Sequence, residues 1–272
     1  MKFEQIQPPA YLRDYVRYIW TLQSTAMDAT PRTFAPVADG CPGLIFQQSD
    51  FVRFYDQDEK KLPDLFLYGQ STKHTTLHAP GKFNTIGIYF YPHALKSIFG
   101  INAEELTNTC VDVNLLSMKQ GFRLSEQLLN TLDINEQIDI ISAYLFSLVQ
   151  QNKVAVDSGT QFAISSIITS KGNVPLKELL DKLNMSERNF ERKFKEIVGI
   201  SPKMFSRICK FQASLNQLRN NDFDKLSDIA FEHEYSDQSH FIRTFKEFTG
   251  ISPYQFSKQS QEVIENFPEW KI

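Results

Sequence analysis

The pattern of hydrophobic and polar positions changes near residue 92. From about residue 15 to residue 91, short apolar runs rich in aromatic and β-branched residues alternate with turn-forming segments. The runs include RYIWTLQ, GLIFQQ, LFLYGQ and FNTIGIYFY, and the segments between them include DGCPG, DQDEKKLPD and HAPGK. Such runs, bounded by Gly, Pro and Asp, predict strands. Their regular spacing favours an antiparallel β sandwich or barrel-like domain.

Beyond this point, apolar residues recur at helical spacing. One stripe, in EQIDIISAYLFSLVQ, consists of Ile138, Ile141, Leu145 and Leu148. It predicts a helix that either packs on its own domain or forms a dimer seam. The pattern is lost in QQNKVAVDSGT, which predicts a linker. We therefore predict an α+β chain, with an N-terminal regulatory domain at 1–152 for effector sensing or dimerisation and an all-α domain at 158–260.

Composition narrows the class of protein. Hydrophobic residues make up 42% of the chain, enough to build packed cores. The net charge of −3 argues against a protein that coats nucleic acid by charge alone. The three cysteines form no C-x-x-C pair, which is typical of reduced thiols in the cytoplasm. The first residues lack the apolar core of a signal peptide, and no apolar run is long enough for a membrane span, so a cytoplasmic location without membrane contact is expected.

An internal repeat dominates the C-terminal part. Residues 190–206 read FERKFKEIVGISPKMFS and residues 241–257 read FIRTFKEFTGISPYQFS, identical at 11 of 17 positions. In each copy a glycine ends one helix and a Ser-Pro pair begins the next. A short amphipathic helix precedes each copy, LKELLDKL in the first and LSDIAFEH in the second. Each unit is therefore predicted to be a helix-turn-helix.

A helical wheel separates the buried and exposed sides of the second helix in each unit. The predicted buried stripes are Phe190, Phe194 and Ile197 in unit one, and Phe241, Phe245 and Phe248 in unit two. Opposite them lie Arg188, Arg192 and Lys195 in unit one, and Ser239, Arg243 and Lys246 in unit two. Arginine there reaches guanine edges or phosphates, and lysine neutralises phosphate. On a single helix such residues are usually only solvated, but their repetition favours DNA binding.

The segment between the units, SPKMFSRICKFQASLNQLRN, predicts one continuous helix. About 19 residues give a length of roughly 28 Å. A strut of that length would hold two recognition helices near one DNA turn apart, about 34 Å. One chain would then read two successive major-groove segments.

The sequence LSDIAFEHEYSDQSHFIRTFKEFTGISPYQF resembles the signature of AraC/XylS-family transcription regulators. The resemblance spans about residues 155–260 and implies a bipartite seven-helix domain that binds specific DNA sequences. The base-reading positions that it implies are Arg188, Asn189, Glu191 and Arg192 in unit one, and Gln238, Ser239, His240 and Arg243 in unit two. One departure is Glu234, at a turn position where the family often has glycine; Asn184 takes that place in unit one.

The first 150 residues resemble a poorly characterised regulatory domain fused to such regulators. The resemblance is carried by LRDYVRYIW at 12–20, ADGCPGLIF at 38–46, LYGQ at 67–70 and GIYFYPHAL at 87–95. In the wider family this position holds a cupin-like barrel that senses a small molecule or a dimerising helical part. The resemblance implies a regulatory role and names no effector.

Three features of the N-terminal domain leave other chemistry open. His74 and His78, on one face of a predicted strand, could join His93 and Asp39 or Glu59 around a metal, although their spacing matches no established pattern. Cys41, in DGCPG, could be a nucleophile, but a turn explains its neighbours equally well. Several aromatic residues either line a ligand pocket or form core: Trp20, Phe34, Phe46, Phe54, Phe66, Tyr68, Tyr89 and Phe90. We predict no metal, no cofactor and no catalytic residue, and the ligand-binding residues stay unknown.

The predicted function is an AraC-type transcription regulator that responds to an effector and is not an enzyme. Expected partners are double-stranded DNA, RNA polymerase, a second copy of the chain and a small-molecule effector, with activation as the commoner mode. The alternative is a cupin-like enzyme domain fused to a DNA-targeting module. Because unit one has more basic residues on its exposed face, the sequence predicts that it carries more of the DNA affinity.

Overall fold

The N-terminal part is a β-rich unit in the computed structural model, which describes residues 2–24, 32–49, 53–79, 82–117, 124–154 and 157–258. The strands in these ranges are β1 (Lys2–Ile6), β2 (Val16–Gln23), β3 (Arg32–Phe34), β4 (Gly43–Ser49), β5 (Leu65–Tyr68), β6 (Leu77–Ala79), β7 (Phe83–Phe90) and β8 (Cys110–Asp112). Six strands form an antiparallel sheet in the order β1-β2-β7-β4-β5-β8, and β3 pairs with β6 in a second, smaller sheet. The predicted antiparallel sheet domain is confirmed.

The large sheet separates two apolar layers, because successive side chains point to opposite faces. In β5, Leu65 and Leu67 face a core formed with the helices, whereas Phe66 faces the small sheet. On that second side Phe34 and Phe54 pack on Phe83, at ring-centroid distances of 5.8 and 5.3 Å. The arrangement is a sandwich whose second sheet is short.

Helices cover the other face of the large sheet. They are α1 (Ala94–Phe99), α2 (Val113–Ser117), α3 (Leu124–Asn130) and α4 (Ile134–Asn152). Asp133 begins α4 by accepting hydrogen bonds from the backbone N–H groups of Asn135 and Glu136, both at 2.9 Å. The predicted α4 stripe is buried in the same core as the sheet residues. Packing on its own domain is therefore confirmed, and the stripe is not available as a dimer seam.

The aromatic residues offered as pocket or core are mostly core. Phe46, Phe54, Phe66 and Phe90 are at most 5% exposed. Three of the partly buried ones pack against the small-sheet core: Trp20, Phe34 and Tyr68. The ring of Tyr89, also partly buried, lies 4.9 Å from that of Tyr18. Their packing supplies the cohesion of the sandwich.

The C-terminal part is all helical within the described residues. Its seven helices are α5 (Ser158–Thr169), α6 (Leu176–Leu183), α7 (Glu187–Val198), α8 (Pro202–Arg219), α9 (Leu226–Glu232), α10 (Gln238–Thr249) and α11 (Pro253–Lys258). The predicted connecting helix is α8, which has 18 residues. Ser201 caps it by accepting from the Met204 N–H at 3.2 Å, and Pro202 occupies its first turn. No helix in these ranges has the length and apolar character that a membrane span requires.

Candidate DNA-binding surface

The first unit pairs α6 with α7 through a tight turn. Asn184 ends α6 in the left-handed region, with φ 50°, and the Met185 N–H donates to the Leu180 carbonyl at 3.2 Å. Phe190 and Phe194 then anchor α7, at 2% and 0% exposure. The predicted buried stripe is confirmed for these two residues.

The second unit repeats this geometry with one more residue in the turn. Glu234 occupies the left-handed position, with φ 52°, so the turn forms without the expected glycine. The Tyr235 N–H donates to the Ala230 carbonyl at 2.9 Å, as in unit one. Asp237 then caps α10 by accepting from the His240 N–H at 2.7 Å. The buried side of α10 is the predicted one, since Phe241, Phe245 and Phe248 are fully buried.

One aromatic core holds the two units together. The ring of Phe211, on α8, lies 5.6 Å from that of Phe245 and 5.0 Å from that of Phe248. On the other side of α8, Phe205 lies 5.7 Å from Phe194 of α7. The connecting helix therefore packs against both recognition helices.

The predicted DNA contacts fall on the side of α7 and α10 that faces solvent. Exposed positions are Arg188, Asn189, Arg192, Gln238, Ser239, Arg243 and Lys246. Glu191, Lys195 and His240 are half-buried. Lys195 and Lys246 lie in the last turns of α7 and α10, and the other residues lie in the amino-terminal and central turns, where recognition helices commonly meet base edges.

Charge pairing differs between the two helices. On α7, Arg192 lies 3.5 Å from Glu196 and donates to Asn189 at 3.2 Å, while Lys195 lies 3.2 Å from Glu191. The basic residues of α10 are Arg243 and Lys246, and neither forms an ion pair with another described residue.

The net charges of α7 and α10 are equal despite this difference in pairing. Helix α7 carries four basic and three acidic residues, and α10 carries two basic residues and one acidic residue. Each has an excess of one positive charge when histidine is neutral.

The N-terminal domain contacts both units, mainly at the carboxyl ends of α7 and α10. Lys96 of α1 forms an ion pair with Glu196 of α7. A 3₁₀ turn at Ala103–Leu106 packs on the end of α7, and His74 packs on the end of α10. Val37 and Ala38 belong to the core of the helical domain, and Gln212 of α8 donates to the Ala38 carbonyl at 2.6 Å. Sequence reasoning missed these contacts.

The loop around Asp39 is buried and polar. Asp39 accepts from the Cys41 N–H at 2.9 Å, and Arg17 donates to the Cys41 Sγ at 3.6 Å. Burial raises the pKa of Asp39 to about 6 and the pKa of Cys41 to about 12. Cys41 is therefore a protonated thiol at neutral pH, which does not suit a nucleophile.

The histidines considered as metal ligands have separate partners. His74 lies before β6 rather than in it, so the prediction that His74 and His78 share one face of a strand is wrong; β6 begins only at Leu77. His78 pairs with the Thr33 hydroxyl at 3.2 Å, and His93 lies 3.2 Å from the Asp14 carbonyl. Within the ranges that the structure covers, no three His, Cys, Asp or Glu residues are grouped to hold a metal ion.

Two family models match separate parts of the chain. Residues 4–112 match a family described as a domain of unknown function, DUF6597, and residues 179–259 match one described as a helix-turn-helix domain.

Curated relatives match over the C-terminal part. An uncharacterised HTH-type transcriptional regulator of Staphylococcus aureus (strain MSSA476) is 29% identical over 94 residues, covering 35% of this chain and 12% of that protein. One of Haemophilus influenzae is 31% identical over 83 residues, covering 30% of this chain and 28% of that protein. The chain thus spans only a small share of the relatives that it matches.

Among solved structures, ToxT from Vibrio cholerae is similar at a TM-score of 0.47 and 13% identity, covering 94% of this chain and 98% of that one. Another ToxT structure, bound to an unsaturated fatty acid, matches at a TM-score of 0.47 and 14% identity, covering 87% of this chain and 94% of that one.

Proposed function

We propose that this chain, whose C-terminal part is a helix-turn-helix domain of the AraC type, is a sequence-specific transcription regulator that reads two successive major-groove segments. The observation that carries the proposal is the repeated geometry of α7 and α10. Each helix exposes polar and basic residues on one side, buries phenylalanines on the other and packs against α8. A rigid pair of such helices suits two adjacent segments of one DNA face.

Each predicted contact residue has a role in this proposal. The base-reading residues are Arg188, Asn189, Glu191 and Arg192 on α7, and Gln238, Ser239, His240 and Arg243 on α10. Lys195 and Lys246 lie one turn further along and neutralise phosphates. Arginine favours guanine through paired hydrogen bonds, and asparagine or glutamine favours adenine.

The N-terminal domain is proposed to regulate this DNA binding in response to an effector. Support comes from its direct contacts with the ends of α7 and α10. Because of these contacts, a rearrangement of that domain would shift the recognition helices. A regulator of this kind acts in the cytoplasm on a promoter, where it recruits or blocks RNA polymerase. Activation is the mode that we propose.

A homodimer is also part of the proposal. Its interface lies elsewhere than on the α4 stripe, which is buried within the chain. Sedimentation velocity on the purified chain, with and without DNA, distinguishes a dimer from a monomer that uses its two units alone.

Selection from random duplex DNA tests the proposed function. The full chain and an Arg192→Ala/Arg243→Ala double variant are incubated with the pool, and the retained DNA is sequenced. We expect an enriched motif with two blocks about 10 base pairs apart, depleted in the double variant. Equal retention of all sequences at fixed salt would refute specific recognition.

A further inference from the structure

The N-terminal domain contacts α7 and α10 at equivalent points of the repeat. Both helices end in a glycine with a left-handed backbone, Gly199 with φ 98° and Gly250 with φ 80°. These glycines lie 51 positions apart, the same offset as the two copies of the repeat. A different segment of the N-terminal domain lies against each of them.

At the end of α7, the contact comes from the 3₁₀ turn and the residue after it. The Thr107 hydroxyl donates to the Gly199 carbonyl at 2.6 Å. The Ala103 carbonyl oxygen lies so close that a Cβ at Gly199 would meet it at 3.0 Å. Helix α7 therefore ends directly on this segment.

At the end of α10, the contact comes from the loop that precedes β6. The His74 N–H donates to the Glu247 carbonyl at 3.2 Å, and its ring Nδ1 lies 3.3 Å from the same oxygen. A Cβ at Gly250 would meet the His74 ring at 2.9 Å. The end of α10 thus packs on this loop, as the end of α7 packs on the 3₁₀ turn.

Hydrogen bonds join the two contacting segments to each other through Asn108. The Thr72 N–H donates to the Asn108 Oδ1 at 2.8 Å, and the Asn108 Nδ2 donates to the Thr72 Oγ1 at 2.9 Å. The Asn108 N–H also donates to the Gln70 carbonyl at 2.8 Å. We call the connection Gly199–Thr107–Asn108–Thr72–His74–Glu247 the interhelix bridge.

We propose that the interhelix bridge sets the spacing between the two DNA elements that the protein accepts. The inference rests on the proposed function and assigns Asn108 and His74 as positioning residues. The bridge is a second connection between α7 and α10, in addition to α8 and its aromatic core. It fixes the ends of the two helices opposite the amino-terminal turns that face DNA.

Spacing is a sensitive readout because DNA is helical. One added base pair moves the second element by about 3.4 Å along the axis. It also rotates that element by roughly 35°, since a turn contains 10–10.5 base pairs. A rigid pair of helices cannot follow both changes, whereas a pair joined only through α8 and its core adjusts more readily.

The experiment uses the full chain and the variant Asn108→Gly. Glycine keeps the positive φ of 58° at this position but removes the side chain that joins the two segments. The matched control is Glu59→Gly, a substitution at an exposed residue with φ 59° in a turn outside the bridge. A second pair is His74→Ala with His78→Ala as its control, because His78 bonds to Thr33 instead.

Fluorescence anisotropy measures the affinity of each protein for duplexes that carry the selected elements at the selected spacing, one base pair shorter and one longer. For the wild type and both controls, we expect each change of spacing to weaken binding by about tenfold, the size of a mismatch penalty. For Asn108→Gly and His74→Ala, we expect a loss of about threefold or less, with affinity at the selected spacing within about threefold of wild type.

The outcomes distinguish failure of the interhelix bridge from failure of the proposed DNA binding. Spacing profiles of Asn108→Gly and His74→Ala that match those of the wild type would overturn the bridge, since α8 and its core would then suffice. The same conclusion follows if the control variants flatten the profile equally. Wild-type binding with no sequence preference would remove the proposed function itself, and the bridge with it. Melting curves establish that each variant is folded.

Discussion

Replacing Arg243 by alanine is expected to weaken DNA binding more than replacing Arg192 by alanine. Both residues occupy equivalent positions on the exposed sides of α10 and α7. Arg192 is held by Glu196 and Asn189, whereas Arg243 has no ion-pair partner among the described residues. The number of basic residues in the sequence predicts the opposite order, with unit one carrying more of the DNA affinity. Such a count does not show which of these residues are already paired.

The difference follows from what Arg192 gives up on binding. A paired arginine–guanine contact is worth about 1–3 kcal/mol. Release of Glu196 costs about 0.3–0.5 kcal/mol, the value of an exposed i,i+4 pair. Release of the Asn189 amide costs about 0.5–1.5 kcal/mol. The net contribution of Arg192 is therefore smaller by about 1 kcal/mol, or roughly fivefold in Kd.

The assay is an anisotropy titration of both single variants on the selected operator at several salt concentrations. Each lost phosphate contact lowers the slope of log K against log salt by about 0.9. The control is Glu196→Gln, which removes the ion pair of Arg192, keeps its hydrogen bond to Asn189 and leaves Arg243 unchanged. In that background, the cost of Arg192→Ala should rise by about 0.3–0.5 kcal/mol toward the cost of Arg243→Ala.

Two results would refute the reasoning. One is a loss for Arg192→Ala equal to or greater than that for Arg243→Ala in the wild-type background. The other is a gap between the two that Glu196→Gln leaves unchanged. Lys96 stays paired with Glu196 when Arg192 is removed, so an unpaired carboxylate does not confound the comparison.

Three further predictions concern stability. Glu234→Gly should raise the free energy of unfolding by about 1 kcal/mol and the melting temperature by roughly 2–3 °C, because glycine adopts φ 52° without the Cβ penalty; an unchanged melting curve would contradict this. Burial raises the pKa of Asp39 to about 6, above its unfolded value, so the free energy of unfolding of the wild type falls as pH rises from about 4 to 6. In Asp39→Asn, the urea midpoint should not show this fall. Gly87→Ala would place its Cβ 1.9 Å from the Trp20 ring and should cost about 3 kcal/mol in urea unfolding, a loss that Trp20→Leu partly restores.

The helical domain could be predicted from sequence because its signals are local and occur twice. Phe190 and Phe241 begin equivalent buried stripes, and Gly199 and Gly250 end equivalent helices. The extra turn residue before Asp237 does not disturb this pattern, because Asp237 supplies its own cap. A repeated local signal fixes secondary structure and the buried side together.

The contacts between the domains could not be predicted in the same way. The sequence pattern predicts His74 on a strand, but His74 precedes the strand and contacts α10, which follows it by more than 160 residues. The residues around Asp39 predict a turn. Turn-forming residues indicate the conformation of the backbone but not which helix packs against it. Its one available signal was the apolar pair Val37–Ala38 between Pro36 and Asp39.

The burial of Val37 and Ala38 in the helical core has a consequence for synthesis on the ribosome. The large sheet is complete at Asp112, yet Gln212 follows Ala38 by 174 positions. At about 5–20 residues per second, roughly 10–35 s separate the emergence of the two partners. During that interval the loop has no partner from α8, so the nascent N-terminal domain exposes the apolar residues Val37 and Ala38 to solvent. Premature termination anywhere before α8 would leave these two residues exposed to chaperones and proteases.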